Sequence, residues 1–293
     1  MTRFSFLILV FFVGGASVAA QDRPEQLFVN VYTPNPQHGT VTPPKLFLKG
    51  HELQVLSVQM SPDVPLDVVF VLDNGGHQQK LMGLAHDYVV LLASSIREPV
   101  TRFTVLLAAR EPQILEETSK ASELASRQAQ SRIAQQSRDS DGADLAGGIE
   151  EAVRMLKGSE GVRVIVVVSD EDDNISSNTL QELKQQVVSA HILCYSFLLA
   201  EQDFFGSKAR SAWGVRLHQL AELLGGEQHQ TDWQNRKADP KSLSAVAERI
   251  SGEGLVVFKL PPDLRIDSGI YTPKAQFSGD SHSIRASPFA VIH

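Results

Sequence analysis

Apolar residues in the middle of the chain gather into dense runs separated by stretches where they recur every three or four positions. Leu66-Asp67-Val68-Val69-Phe70-Val71-Leu72 is nearly continuous, and Phe103 to Ala109, Val162 to Val168 and Ile192 to Leu199 repeat the texture. Runs of this kind suit parallel strands covered on both faces. Between them, Leu81, Leu84, Ala85, Tyr88 and Leu92 lie on one face of a helix, as do Leu145, Ile149, Val153 and Leu156. Leu180, Leu183 and Val187 mark a further helix with Asn178 as its cap and Gln181 three residues on. Val215 to Leu224 reads as a helix stopped by Gly225-Gly226, and Asp239-Pro240 opens a last one through Leu243, Val246 and Ile250. Residues 111–141 are polar, dominated by Gln, Ser, Arg and Glu, and predict some helical content.

The flanks differ. Leu27 to Tyr32, Lys45 to Leu48 and Leu53 to Met60 are strand-like, and prolines punctuate the stretch between the first two. Leu255 to Leu260 and the tail to His293 are again β-like. Strand–helix alternation from about Pro65 to Gly254 predicts an α/β fold, a doubly wound and mainly parallel sheet with helices on both faces. The strands of the two flanks are expected to pair into one small β module. The predicted organisation is therefore a leader over 1–20, an N-terminal β segment over 21–64, the α/β domain over 65–254 and a C-terminal β segment over 255–293.

Composition narrows the function classes. The 293 residues carry 27 Lys plus Arg against 34 Asp plus Glu, a net charge of −7. That balance speaks against general nucleic-acid binding, which needs clustered cations for phosphate. One cysteine excludes a disulfide framework and a Cys-cluster zinc site. Cys194 itself lies inside a predicted core strand, where a buried, inert thiol is expected. Arg3 followed by the apolar run Phe4 to Val13 and by Val18-Ala19-Ala20 is the anatomy of a cleavable export signal cut after Ala20. The run is shorter than the ~20 residues of a bilayer span. A secreted or periplasmic protein without a transmembrane segment in its mature part is expected. The nine histidines are scattered, form no H-E-x-x-H pattern and are expected mostly at the surface. No G-x-S-x-G elbow or phosphate-binding glycine motif is present.

The strand PLDVVFVLDNGG, the segment GADLAGGIEEAV, the run VIVVVSDED and the ending SIRASPFAVI, in this order, resemble a von Willebrand factor A domain. The chain as a whole resembles the VWFA-related proteins typical of Acidobacteria. The resemblance implies a doubly wound fold and a metal-ion-dependent adhesion site, where Mg²⁺ is held by oxygen ligands and completed by a partner's acidic group. Carried onto this sequence, that site has Asp73 in its first position, Gly75 and His77 where the family has serines, Ala143 where it has a threonine, and Asp170 as its last carboxylate. Two carboxylates survive and three hydroxyls are gone. His77 offers nitrogen, which suits transition metals better than Mg²⁺. Asp144 and Asp172 are the nearby carboxylates that would serve as auxiliaries. The expectation is a degenerate site and no cofactor, with Asp73 and Asp170 serving as helix caps; Mg²⁺ or another divalent cation is the alternative. The implied function is a non-enzymatic exported binding or adhesion protein that meets a protein partner through loops at the C-terminal end of the sheet. His77, Asp172, Phe204 and Phe205 are the candidate contact residues. The alternative is a secreted metal-dependent hydrolase with an acidic centre at Asp170 to Asp173.

Overall fold

A computed structural model describes residues 26–32, 45–60, 64–75, 78–96, 101–139, 142–159, 161–169, 177–200, 217–221, 226–232, 238–261, 274–276 and 285–292. The central sheet has six strands in the order β10 (Gln228–Asp232), β9 (Ile192–Ala200), β8 (Val162–Ser169), β5 (Leu66–Asp73), β6 (Thr101–Ala108), β7 (Gln113–Thr118). All pairs are parallel except β6 with β7. Every residue of β5 is buried, which is why its sequence shows no alternation: both faces are covered. On one face lie α1 (Gln78–Ser95), the short α2 (Ala121–Leu124), α3 (Arg127–Asp139) and α7 (Pro240–Ser251); on the other lie α4 (Leu145–Leu156) and α5 (Ser177–Ser189). Residues 217–221 form part of a further helix, α6.

α4 approaches the sheet closely because Gly148 lacks a side chain. A Cβ there would stand 2.6 Å from that of Ala108, closer than real carbons come. α7 starts as its sequence predicts: the Asp239 carboxylate accepts from the Lys241 and Ser242 amides, and Pro240 occupies the first turn.

A second sheet joins the flanks. β1 (Gln26–Tyr32) lies between β13 (Arg285–Ile292) and β11 (Glu253–Lys259), and β4 (Gln54–Met60) closes the other side of β11, all antiparallel. A small third sheet pairs β12 (Lys274–Gln276) with β2 (Lys45–Leu48) and β2 with β3 (His51–Glu52). The β module therefore does combine strands from both ends of the chain.

Several expectations need correction. β7 runs through the start of the polar stretch, ahead of the helical content its sequence predicts, which is α2 and α3. It is the antiparallel edge strand, and its ladder with β6 is interrupted by an irregularity between Val105 and Leu106, so its alternation is broken. β10 is the opposite edge and equally polar. Asn178 lies inside α5, which already includes Ser177. Gly226 matters as a close approach: a Cβ there would fall 1.8 Å from the Cys194 carbonyl oxygen.

Candidate functional site

Chain order reverses between β5 and β8: one side of β5 leads on to β6, the other to a strand far along the chain. In an open α/β sheet the crevice outside the carboxyl ends of two such strands is where ligands bind. Asp73 ends β5 and Ser169 ends β8, and both are fully buried. The Ser169 hydroxyl donates to Asp73 Oδ2 at 2.6 Å, and the Gly75 amide donates to Asp73 Oδ1 at 2.9 Å. Asp73 thus ties the two central strands together at the floor of the crevice. Its carboxylate holds the turn ahead of α1 through Gly75 and also reaches across the sheet to Ser169.

Asn74, also buried, extends the network sideways. Its Oδ1 accepts from the Ser137 hydroxyl on α3 at 2.7 Å, and its Nδ2 donates to the Gly142 carbonyl at 3.2 Å. Gly142 has φ +66°, in the left-handed region, and the Asp144 amide then donates to the Ala108 carbonyl at 3.1 Å. The loop between α3 and α4 is therefore pinned to β5 and to β6. The Asp144 carboxylate accepts from the Gly147 amide at 2.8 Å and caps α4.

Gly75 and Ala143 come together over Asp73. A Cβ on Gly75 would lie 3.3 Å from that of Ala143 and 3.2 Å from Asp73 Oδ1. Asp73, Gly75 and Ala143 thus share one place; His77, Asp170, Asp172, Phe204 and Phe205 lie outside the described residues. The donor set at the described positions does not fit Mg²⁺. Gly75 and Ala143 offer no side-chain oxygen, and packing has narrowed the room a serine would take at position 75. Both Asp73 oxygens already accept hydrogen bonds. Among the described residues no group of three His, Cys, Asp or Glu stands close enough to hold a metal.

Cys194 is fully buried, which pushes its thiol up to about 12, so it is no nucleophile near neutral pH. His86, expected at the surface, is buried on α1, with Nε2 2.9 Å from the Leu124 carbonyl oxygen. His229 stacks on Phe197 at 5.3 Å, and burial lowers its pKa. Asn74, Ser137 and Ser169 are the site residues that sequence reasoning missed. For Asn74 and Ser169 the available signal was position, short polar residues directly at the ends of apolar strands; Ser137, inside α3, carried none.

Residues 67–204 match the model of the von Willebrand factor type A domain. The fold is that of a von Willebrand factor A domain. Domains of this type are in general interaction modules that bind proteins. Among solved structures, the chain is similar to an aerotolerance-related membrane protein from Bacteroides fragilis, at 16% identity over 64% of this chain and 98% of that one, with a TM-score of 0.47. It is similar to the conserved hypothetical protein BatB from Bacteroides thetaiotaomicron, at 12% identity over 64% and 97%, TM-score 0.44. It is also similar to a von Willebrand factor type A protein from Catenulispora acidiphila, at 10% identity over 94% and 75%, TM-score 0.43. No curated protein sequence matches the chain. Among the described residues no helix is long and apolar enough to cross a membrane.

Proposed function

We propose that this protein is an exported, non-enzymatic binding module that recognises a protein partner through the loops at the C-terminal end of its central sheet, without a metal ion. The observation that carries the reading is the crevice between β5 and β8. The carboxylate at its floor accepts from Ser169 and Gly75, and the loop carrying Ala143 is fastened to β5 by Asn74 and to β6 by Asp144. These bonds hold the end of β8, the turn after β5 and the segment before α4 in one arrangement. Preorganised loops bind without the entropy cost of ordering on contact. Export rests on the N-terminal sequence pattern, with its cut after Ala20.

The test is cross-linking. A photoreactive side chain at the exposed Glu111, in the loop after β6, and a second at Ala143, are installed in the full chain expressed with its own leader. The expected result is one protein adduct from both positions, exported with the chain and formed at equal yield with and without EDTA. An adduct that needs Mg²⁺ would overturn the metal clause. Retention of the chain in the cytoplasm would overturn the export clause. Turnover of peptide or phosphoester substrates by the purified protein, abolished by Asp172→Asn, would replace the binding reading with the hydrolase.

A further inference from the structure

The opposite end of the sheet carries a separate small cavity, of about 210 Å³, between the last turn of α4 and the surface of β5, β6 and β7. Packing explains it. α4 lies over β5 and β6, whereas β7 is covered by α2 and α3 from the other face. The α4-side face of the β6–β7 ladder is thus a shelf, with Ile114 half exposed on it. Val69, Met155 and Leu156 supply an apolar wall to the cavity.

Its polar groups fall into two classes. Asp67 and Arg102 sit opposite each other in register and neutralise each other: Arg102 Nε and Nη2 donate to the two Asp67 oxygens at 3.0 and 2.9 Å, and Nη2 also donates to the Ser159 hydroxyl. Arg163, on the other side of Asp67, turns its guanidinium to the carbonyls of Ser159 and Ala190. Thr104 and Glu117 are different. They face each other directly across β6 and β7. Thr104 is only 4% exposed and lines the cavity, yet its hydroxyl has no hydrogen-bond partner among the described residues. Glu117 likewise has neither an ion pair nor a hydrogen bond among them.

A hydroxyl open only to the cavity and a free carboxylate beside an apolar wall call for a donor that carries positive charge on an aliphatic stem. The last turn of α4 adds to this, because helix carbonyls concentrate negative potential at that end. The size also selects: ligand sites for drug-sized molecules run to roughly 300–1,000 Å³, so this cavity suits one side chain. Lysine fits both demands, a compact ammonium on four methylenes. We infer that this cavity binds a primary alkylammonium group, the lysine side chain of a protein partner, with the ammonium on Glu117 and Thr104 and the methylenes along Val69, Met155 and Leu156.

The test uses the full chain, isotope-labelled, titrated with Nα-acetyl-lysine methylamide, with the norleucine analogue that lacks the ammonium, and with n-butylammonium. The expected result is saturable shifts of the Thr104, Glu117 and Met155 amides with the lysine probe and none with norleucine. Glu117→Gln, a change at an exposed position, should weaken binding about tenfold, the size of one charged hydrogen bond. Thr104→Val, close in shape, should weaken it less. Equal shifts with norleucine, or affinity unchanged by Glu117→Gln, would overturn the site. Binding of n-butylammonium without the lysine probe would overturn the partner side chain in favour of a free amine.

Discussion

The two ends of β5 each carry a buried or nearly buried aspartate, and the strand treats them differently. Asp67, where the strand begins, is met by a guanidinium fork from Arg102, whose side chain is half exposed. Asp73, where it ends, is met by a hydroxyl and a backbone amide, and is wholly buried. A carboxylate held by a charged partner at the surface can exchange that partner for water. One held by fixed dipoles in the interior cannot, because each donor it leaves behind is buried. The first end is a fastening that tolerates loss; the second is a joint on which the crevice depends.

Substitution separates the two most sharply. Asp73→Ala strips the acceptor from the Ser169 hydroxyl and the Gly75 amide and should cost about 4 kcal/mol, read by chemical denaturation. A cost below that of Asp67→Ala would break the comparison. Glu253 offers a third buried carboxylate, at the start of β11. Burial pushes it up to about 8 from 4.5, against the pull of Arg249. With the folded value raised, the unfolded chain gives up its proton first, so stability falls as pH rises from about 4.5 to about 8 and is flat above. Glu253→Gln should abolish that slope, a gain on the order of 4 kcal/mol at pH 8 and little at pH 4.5. Equal thermal shifts at both pH values would contradict it. Asn74→Ala should cost about 2 kcal/mol and speed hydrogen exchange of the Asp144 and Gly147 amides, while β5 and β8 stay protected. Uniform loss of protection would show that Asn74 serves the whole core. Asp67→Ala should cost only about 1 kcal/mol, in line with a solvent-accessible ion pair.

The same contrast governs what the sequence revealed. β5, β6, β8 and β9 were legible because burial on both faces demands continuous apolar runs. β7 (QILEET) and β10 (QHQTD) were not, since edge strands with a wet face take polar residues, and the ladder irregularity in β7 removes the remaining period. Asp73, Gly75 and Ala143 could be placed together through their resemblance to a family pattern. Ser169, Ser137 and the Gly142 carbonyl could not: their partners are 96, 63 and 68 residues away, and single short polar side chains carry no periodicity. The bond from Ser169 to Asp73 was out of reach for the same reason, because a tie between distant strands leaves no local pattern.

Calorimetric titration of the folded protein with Mg²⁺ and Mn²⁺ tests the central claim most directly. Hydrogen bonds brace the crevice here, so no saturable heat should appear at millimolar cation, and EDTA should leave the melting temperature where it was. One-to-one binding that disappears in Asp73→Asn would contradict the account.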